Sequence, residues 1–218
     1  MKFATVIALF LACATAPAMA EVKEASADHF HLAFTATIAA SPTKVYALLP
    51  HVEKWWSAEH TWSGDAAHLS LKPEAGGCFC ERWQGNSVEH GRVIMALKDQ
   101  TLRLDSALGP LQEFALKGIL DFGLTEMENG ATEMLVDYRV NGSDASGLDQ
   151  FAPAVDEVLG MQLERLLRYI DTGNPEAPVV AEPEEAPSKK EARAELIEEW
   201  AEEAAKEMQK PPKPKERP

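Results

Sequence analysis

Basic residues are scarce in this chain. Its 218 residues hold 21 Lys and Arg against 35 Asp and Glu, a formal charge of −14 at pH 7. Binding nucleic acid or anionic lipid headgroups depends on neutralising phosphates with Lys and Arg, so this balance speaks against both and for neutral, cationic or apolar partners. Cysteine is rarer still, with three residues. Cys78-x-Cys80 supplies two metal ligands and no second pair accompanies it, which leaves a four-ligand zinc site incomplete. His29, His31, His51, His68 and His90 show no HExxH or other metal-ligand spacing. Ser63 and Ser87 lack the Gly-x-Ser-x-Gly context of a nucleophile elbow. Neither a phosphate-cradling glycine loop, a dinucleotide fingerprint nor an internal repeat is present, and no cofactor is expected.

Long apolar runs are missing too. The longest, Val6 to Ala14, is well short of the roughly 20 residues that span a bilayer. With Lys2 before it and Ala18-Met19-Ala20 after it, it reads as a secretory leader spanning residues 1–20, cleaved after Ala20. A lipoprotein reading through Cys13 would want a branched aliphatic three residues earlier, where Phe10 stands. Cleavage removes Lys2 and leaves 20 basic and 35 acidic residues, a charge of −15. The expectation is a soluble protein of an exported, periplasmic compartment.

What is present falls into clear zones. After a short segment at 21–29, residues 30–173 suit one domain with one core. His31 to Ala39 reads as a first strand. Ser41-Pro42 then opens a helix, with Ser as N-cap and Pro at the first helical position. A second short helix is expected from His51 to Ser57. Six further strands are expected at Ala67–Leu71, Gly77–Trp83, Val88–Leu97, Leu102–Leu108, Leu116–Thr125 and Thr132–Val140, separated by short turns and hence antiparallel. Phe151, Val155, Val158, Leu159, Gln162, Leu166 and Tyr169 have helical spacing, which predicts a long helix from Leu148 to Thr172 capped by Gly173. One curved antiparallel sheet of about six to seven strands wrapped on that helix is an α+β, helix-grip fold. Beyond it the chain reads as a Pro/Glu-rich disordered linker at 174–187. A charged amphipathic helix of coiled-coil type follows at 188–210, able to recruit a protein partner, and a Pro/Lys tail ends the chain at 211–218.

Gly76-Gly77-Cys78-Phe79-Cys80-Glu81-Arg82-Trp83, with Trp55-Trp56 and His60-Thr61-Trp62-Ser63-Gly64-Asp65 upstream, resembles the START-like (SRPBCC, helix-grip) superfamily. The resemblance is to the bacterial branch related to polyketide cyclases and the heat-shock-ATPase activator homologues. It covers roughly residues 30 to 172 and implies an apolar cavity between sheet and C-terminal helix, of the kind that takes lipids, sterols and polyketides.

The hairpin from Gly77 to Leu97 decides what faces such a cavity. Phe79 and Trp83 on one strand and Val93, Met95 and Leu97 on the next can all face inward if Phe79 lies opposite Val93. That requires an odd-numbered loop around Gly85-Asn86; a two-residue Gly-Asn turn would put Phe79 opposite Arg92. Glu81 then points inward between Phe79 and Trp83, and desolvation is expected to raise its pKa. Trp55, Trp56, Trp62, Phe79, Glu81 and Trp83 are the candidate ligand-binding residues. One of the adjacent Trp55 and Trp56 is expected in the core and the other at the cavity entrance. Two functions follow for the domain: binding a small apolar or amphipathic molecule, or cyclase, dehydratase or hydrolase chemistry with Glu81 as acid/base paired with His60. A third is an interaction scaffold acting through the tail helix. Residues i and i+2 of a regular strand are too far apart for easy bridging, so Cys78 and Cys80 are expected as free thiols, with a strained bridge as the alternative.

Overall fold

Alternating apolar positions build the sheet. A computed structural model describes residues 19–178, so residues 1–18 of the leader expected over 1–20, most of the expected linker, the charged helix expected at 188–210 and the tail at 211–218 lie outside the described residues. The described residues form one antiparallel eight-stranded sheet. Its strands are β1 (Met19–Ala25), β2 (His29–Ile38), β3 (Leu69–Leu71), β4 (Cys78–Trp83), β5 (Asn86–Leu97), β6 (Thr101–Asp105), β7 (Lys117–Glu126) and β8 (Thr132–Asn141). Across the sheet they run β1-β2-β8-β7-β6-β5-β4-β3. Leu120, Phe122 and Leu124 of β7 face Tyr138, Val136 and Met134 of β8, and all six are buried. Period-two burial of this kind gives the sheet its one apolar face.

The strand count exceeds the expected six to seven because β1 adds an edge where a leader end and a short N-terminal segment at 21–29 were expected. Met19 and Ala20 pair with Phe34 and Thr35 of β2 in the order Met19–Thr35, Ala20–Phe34. Cleavage after Ala20 would leave Glu21–Ala25 to form that edge.

Helix α1 (Pro42–Leu48) starts as its sequence dictates: the Ser41 side chain accepts from the Lys44 N–H and Pro42 takes the first helical position. Helix α2 is shorter than expected, Val52–Trp55. Helix α3 (Leu148–Thr172) ends at Gly173, whose φ of 77° is the left-handed conformation glycine adopts without strain. Its Leu159, Leu163, Leu166 and Ile170 are buried in the core that the sheet's apolar face provides. The arrangement is a helix grip.

Strand β6 stops three residues short of the expected Leu108. Tyr138 explains why. Its hydroxyl accepts from the Leu108 N–H at 3.0 Å and donates to the Ser106 carbonyl at 3.2 Å, which diverts the chain from the sheet into a 3-10 segment at Gly109–Phe114. Burial pushes the phenol pKa up, so the group acts as a neutral donor and acceptor.

Cys78 and Cys80 are joined by a disulfide, which corrects the expectation of free thiols. A regular strand separates i and i+2 by about 6.6 Å. Here β4 is contracted opposite a β-bulge in β5, and the two Cα atoms are 5.4 Å apart, inside the range a disulfide accepts.

Two outcomes follow. Thiol titration of the denatured, unreduced protein cleaved after Ala20 should find no free cysteine, and two after reduction. Tyr138→Phe should cost about 1–3 kcal/mol in denaturant unfolding, because it strips the partner from the Leu108 N–H and the Ser106 carbonyl at once. A cost within error of zero would show that the hydroxyl does not hold the 3-10 segment.

Candidate functional site

The β4–β5 hairpin sets the site. Its connection is a two-residue turn at Gln84-Gly85, both with positive φ (46° and 86°), as a type I′ turn requires. Trp83 therefore faces Asn86 and Glu81 faces Val88. On that register alone Phe79 would lie opposite His90. Instead the register shifts between Phe79 and Cys80: Cys80 faces Glu89 and Phe79 faces Gly91, leaving His90 as the extra residue. This corrects the expected odd loop and the pairing of Phe79 with Val93. The inward face expected for Phe79 and Glu81 holds, since a bulge rather than a longer turn reconciles the two patterns. A second shift between Val93 and Met95 turns the strand again. Val93 is buried, but Met95 and Leu97 are exposed, contrary to the expected inward stripe.

The bulge is held from the residue that follows β6. Ser106 Oγ donates to the His90 carbonyl at 2.7 Å. A Cβ on Gly91 would come within 2.8 Å of the Ser106 Cβ, so the strand can approach this closely only with glycine there.

Glu81 is fully buried. The Ser63 N–H donates to its Oε1 at 2.5 Å, and the Trp62 N–H donates to its Oε2 at 3.1 Å. His90, also buried, donates from Nε2 to the same Oε2 at 3.0 Å. Burial works to raise the carboxyl pKa, but the hydrogen bonds from Ser63, Trp62 and His90 outweigh it and hold the group below its ordinary value. The expected elevated pKa is thus corrected. A carboxylate that accepts three charge-assisted bonds is an anchor for the 61–65 loop and a poor proton donor at neutral pH. His60 does not pair with it; His60 is exposed, and His90 is the histidine at Glu81.

Aromatic rings stack outward from this pair. Phe79 lies 5.0 Å from the His90 ring and 5.5 Å from Trp56, centroid to centroid. Trp55 is in the core, its indole N–H donating to the Leu49 carbonyl. Trp56 donates to the His60 carbonyl. The two helices are tied at this point: Gln162 Oε1 accepts from the Ser57 N–H and Arg165 Nε donates to the Trp55 carbonyl.

A cavity of about 410 Å³ opens beside the pair, between the N-terminal half of α3 and the 3-10 segment. Phe151, Val155, Val158 and Leu159 of α3 form one wall, and Leu108 to Leu111 another. Trp56 and His90 lie on the remaining side, with Glu59, His60, Thr61 and Trp62 also on the wall. The stripe expected on α3 therefore divides. Its C-terminal half is core, while Phe151, Val155 and Val158 are half-buried and face the cavity. Of the candidate binding residues, Trp56 and Trp62 line the cavity, and Trp62 is 52% exposed. Phe79 stands behind Trp56 and His90, Trp55 is core, and Trp83 is half-buried beside the hairpin turn, off the cavity wall.

His90 escapes a reading of the sequence by spacing, because only the bulge turns it inward. Gly91, a glycine inside a strand pattern, was the available signal for that bulge. Among the described residues, no group of three or more His, Cys, Asp or Glu side chains is arranged to hold a metal, and no helix is long and apolar enough to cross a membrane.

No protein-family model and no curated protein matches the chain. Among solved structures it is similar to a protein from Arthrobacter aurescens, at 15% identity and a TM-score of 0.50 over 74% of this chain and 98% of that one. CalU16 from Micromonospora echinospora is similar at 15% identity and a TM-score of 0.47, over 74% and 88%. EF2215 from Enterococcus faecalis, described as a conserved protein of unknown function, is similar at 12% identity and a TM-score of 0.48, over 84% and 91%. At these identities the likeness is one of fold.

Glu81 gives the site a pH signature. Because its folded-state pKa lies below its ordinary value of 4.5, its contribution to stability is complete above that value and is lost as pH falls through the folded pKa. Glu81→Gln keeps the shape but sets an amide N–H₂ against N–H donors. Unfolding at pH 7 should show a loss of about 1–3 kcal/mol. The difference from wild type should shrink on acidification below pH 4.5. A gap that does not change with pH would mean the carboxylate is not held ionised by these donors.

Proposed function

We propose that the chain is an exported, periplasmic binding protein of the START-like superfamily, taking a small apolar or amphipathic molecule between sheet and C-terminal helix. The observation that carries this reading is the 410 Å³ cavity with an apolar wall from α3 and the 3-10 segment. Volumes of roughly 300–1,000 Å³ with few polar groups are typical of small-molecule sites. The acidic balance of the chain agrees with a neutral or cationic ligand. The leader-like first twenty residues support export.

Catalysis by Glu81 is the weaker reading. Its oxygens are occupied by three donors, and it is not among the residues that line the cavity.

Binding of the neutral probe N-phenyl-1-naphthylamine tests the proposal. Its fluorescence should rise on entering the cavity, with quenching of Trp56 and Trp62. Val155→Trp fills the wall of α3 and should weaken binding by roughly tenfold or more while the far-UV spectrum is unchanged. Absence of probe binding to the wild type, or an unaltered affinity in Val155→Trp, would overturn the reading. Export is checked separately by the N-terminus of the protein recovered from a periplasmic fraction, which should be Glu21.

A further inference from the structure

The buried part of the cavity wall is apolar apart from one side chain. Trp56 spends its indole N–H on the His60 carbonyl, and the Thr61 hydroxyl donates to the Ala58 carbonyl. Glu59 and His60 are exposed. His90 alone among the polar wall residues is buried, with 6% of its surface exposed, and it reaches the wall through the bulge.

Its two ring nitrogens are in different situations. An ionised carboxylate only accepts hydrogen bonds, so Nε2, 3.0 Å from Glu81 Oε2, must carry the proton. In the neutral imidazole Nδ1 is then the acceptor, and the ring's hydrogen bond to the protein runs through Nε2. Glu81 is held ionised by the Trp62 and Ser63 N–H groups, and the ring plane is fixed by Phe79 behind it. The fixed lone pair thus belongs to a preorganised acceptor in an otherwise apolar chamber. A ligand O–H that donates to this acceptor takes the place of solvent there, in a geometry the protein has already set.

We propose that His90 is the polar anchor of the cavity and selects apolar molecules carrying one hydrogen-bond donor, a hydroxyl above all, which donates to Nδ1. This rests on the binding-protein reading and narrows its ligand class to hydroxylated rings or chains. Glu81 acts through His90 as a positioning residue: it sets the tautomer and does not touch the ligand.

The test compares 2-naphthol with 2-methylnaphthalene, the same ring with its O–H replaced by a methyl group. Affinities of both are measured for the mature wild type and for His90→Phe, which keeps an aromatic ring against Phe79. The ratio of the two affinities cancels changes in cavity size and in the probes' own hydrophobicity. His90→Phe should lower the relative affinity for 2-naphthol roughly three- to tenfold. Imidazole ¹⁵N spectra of the wild type supply a readout that needs no variant. The free protein should show His90 protonated at Nε2, and 2-naphthol should shift the Nδ1 resonance where 2-methylnaphthalene does not. An unchanged affinity ratio, or an Nδ1 signal indifferent to the hydroxyl, overturns the anchor while leaving the cavity reading standing. Failure of both probes to bind the wild type overturns the cavity reading and the anchor with it.

Discussion

A carboxylate removed from water at the centre of a hairpin constrains much of what surrounds it. Glu81 is fully buried, and burying an unpaired charge would cost several kcal/mol. Three donors meet that demand, and they come from two places: the backbone of the Trp62-Ser63 loop and the ring of His90. Satisfying Glu81 therefore draws the loop onto the sheet and keeps the β5 bulge facing inward. Asp65 and Ser63 then close the loop on themselves, the Asp65 carboxylate accepting from the Ala67 N–H and the Ser63 hydroxyl from the Asp65 N–H. The exposed Trp62 is placed on the cavity wall as a consequence of this docking, since its own backbone is one of the donors.

The local rules in the sequence were sufficient wherever the structure is locally decided. Ser41-Pro42 starts a helix, and Leu148 to Thr172 is a helix stopped by Gly173, because caps and periodicity act within a few residues. The alternation in β7 and β8 gave their buried face for the same reason. The β4–β5 hairpin is different. Turn chemistry favoured a two-residue connection and hydrophobic alternation favoured another register, and within the hairpin only Gly91 hints that a bulge satisfies both. The residue that clamps the bulge, Ser106, lies 16 positions from His90, just past the end of β6. Met95 and Leu97 face outward for a like reason, a second register shift that depends on pairing with β6. The site was legible in part: Trp56, Trp62 and the inward Glu81 follow from the sequence, while His90 and the low pKa of Glu81 require the long-range contacts.

The disulfide fits the same account. Cys-x-Cys bridging is unfavourable on a regular strand, and β4 is not regular where the bulge faces it. The contraction that brings the Cα atoms of Cys78 and Cys80 to 5.4 Å sits at Phe79, whose ring packs on His90 and Trp56. The bridge thus braces the strand segment that supports the cavity's polar side, on the opposite face of the sheet from the cavity itself.

The size of the cavity bears on how the domain can be stable at all. Emptying a core costs about 24 cal/mol per Å³, so a dry, sealed void of 410 Å³ would cost about 10 kcal/mol. That is comparable to the whole stability of a domain this size. The fold avoids this cost in two ways. The α3 stripe divides, so that Leu159, Leu163, Leu166 and Ile170 are buried in the core while Phe151, Val155 and Val158 stay half-buried on the chamber wall. The chamber also has exposed residues on its wall, Glu59, His60 and Trp62, so solvent can reach it. Solvent in an apolar chamber finds few partners, which leaves the wetted state poorly stabilised relative to one filled by an apolar molecule. A molecule that binds the folded state alone raises its stability by mass action. Core and chamber therefore share one helix: Leu148, Ala152, Leu159, Leu163, Leu166 and Ile170 are buried in the core along its length, while Phe151, Val155 and Val158 line the chamber.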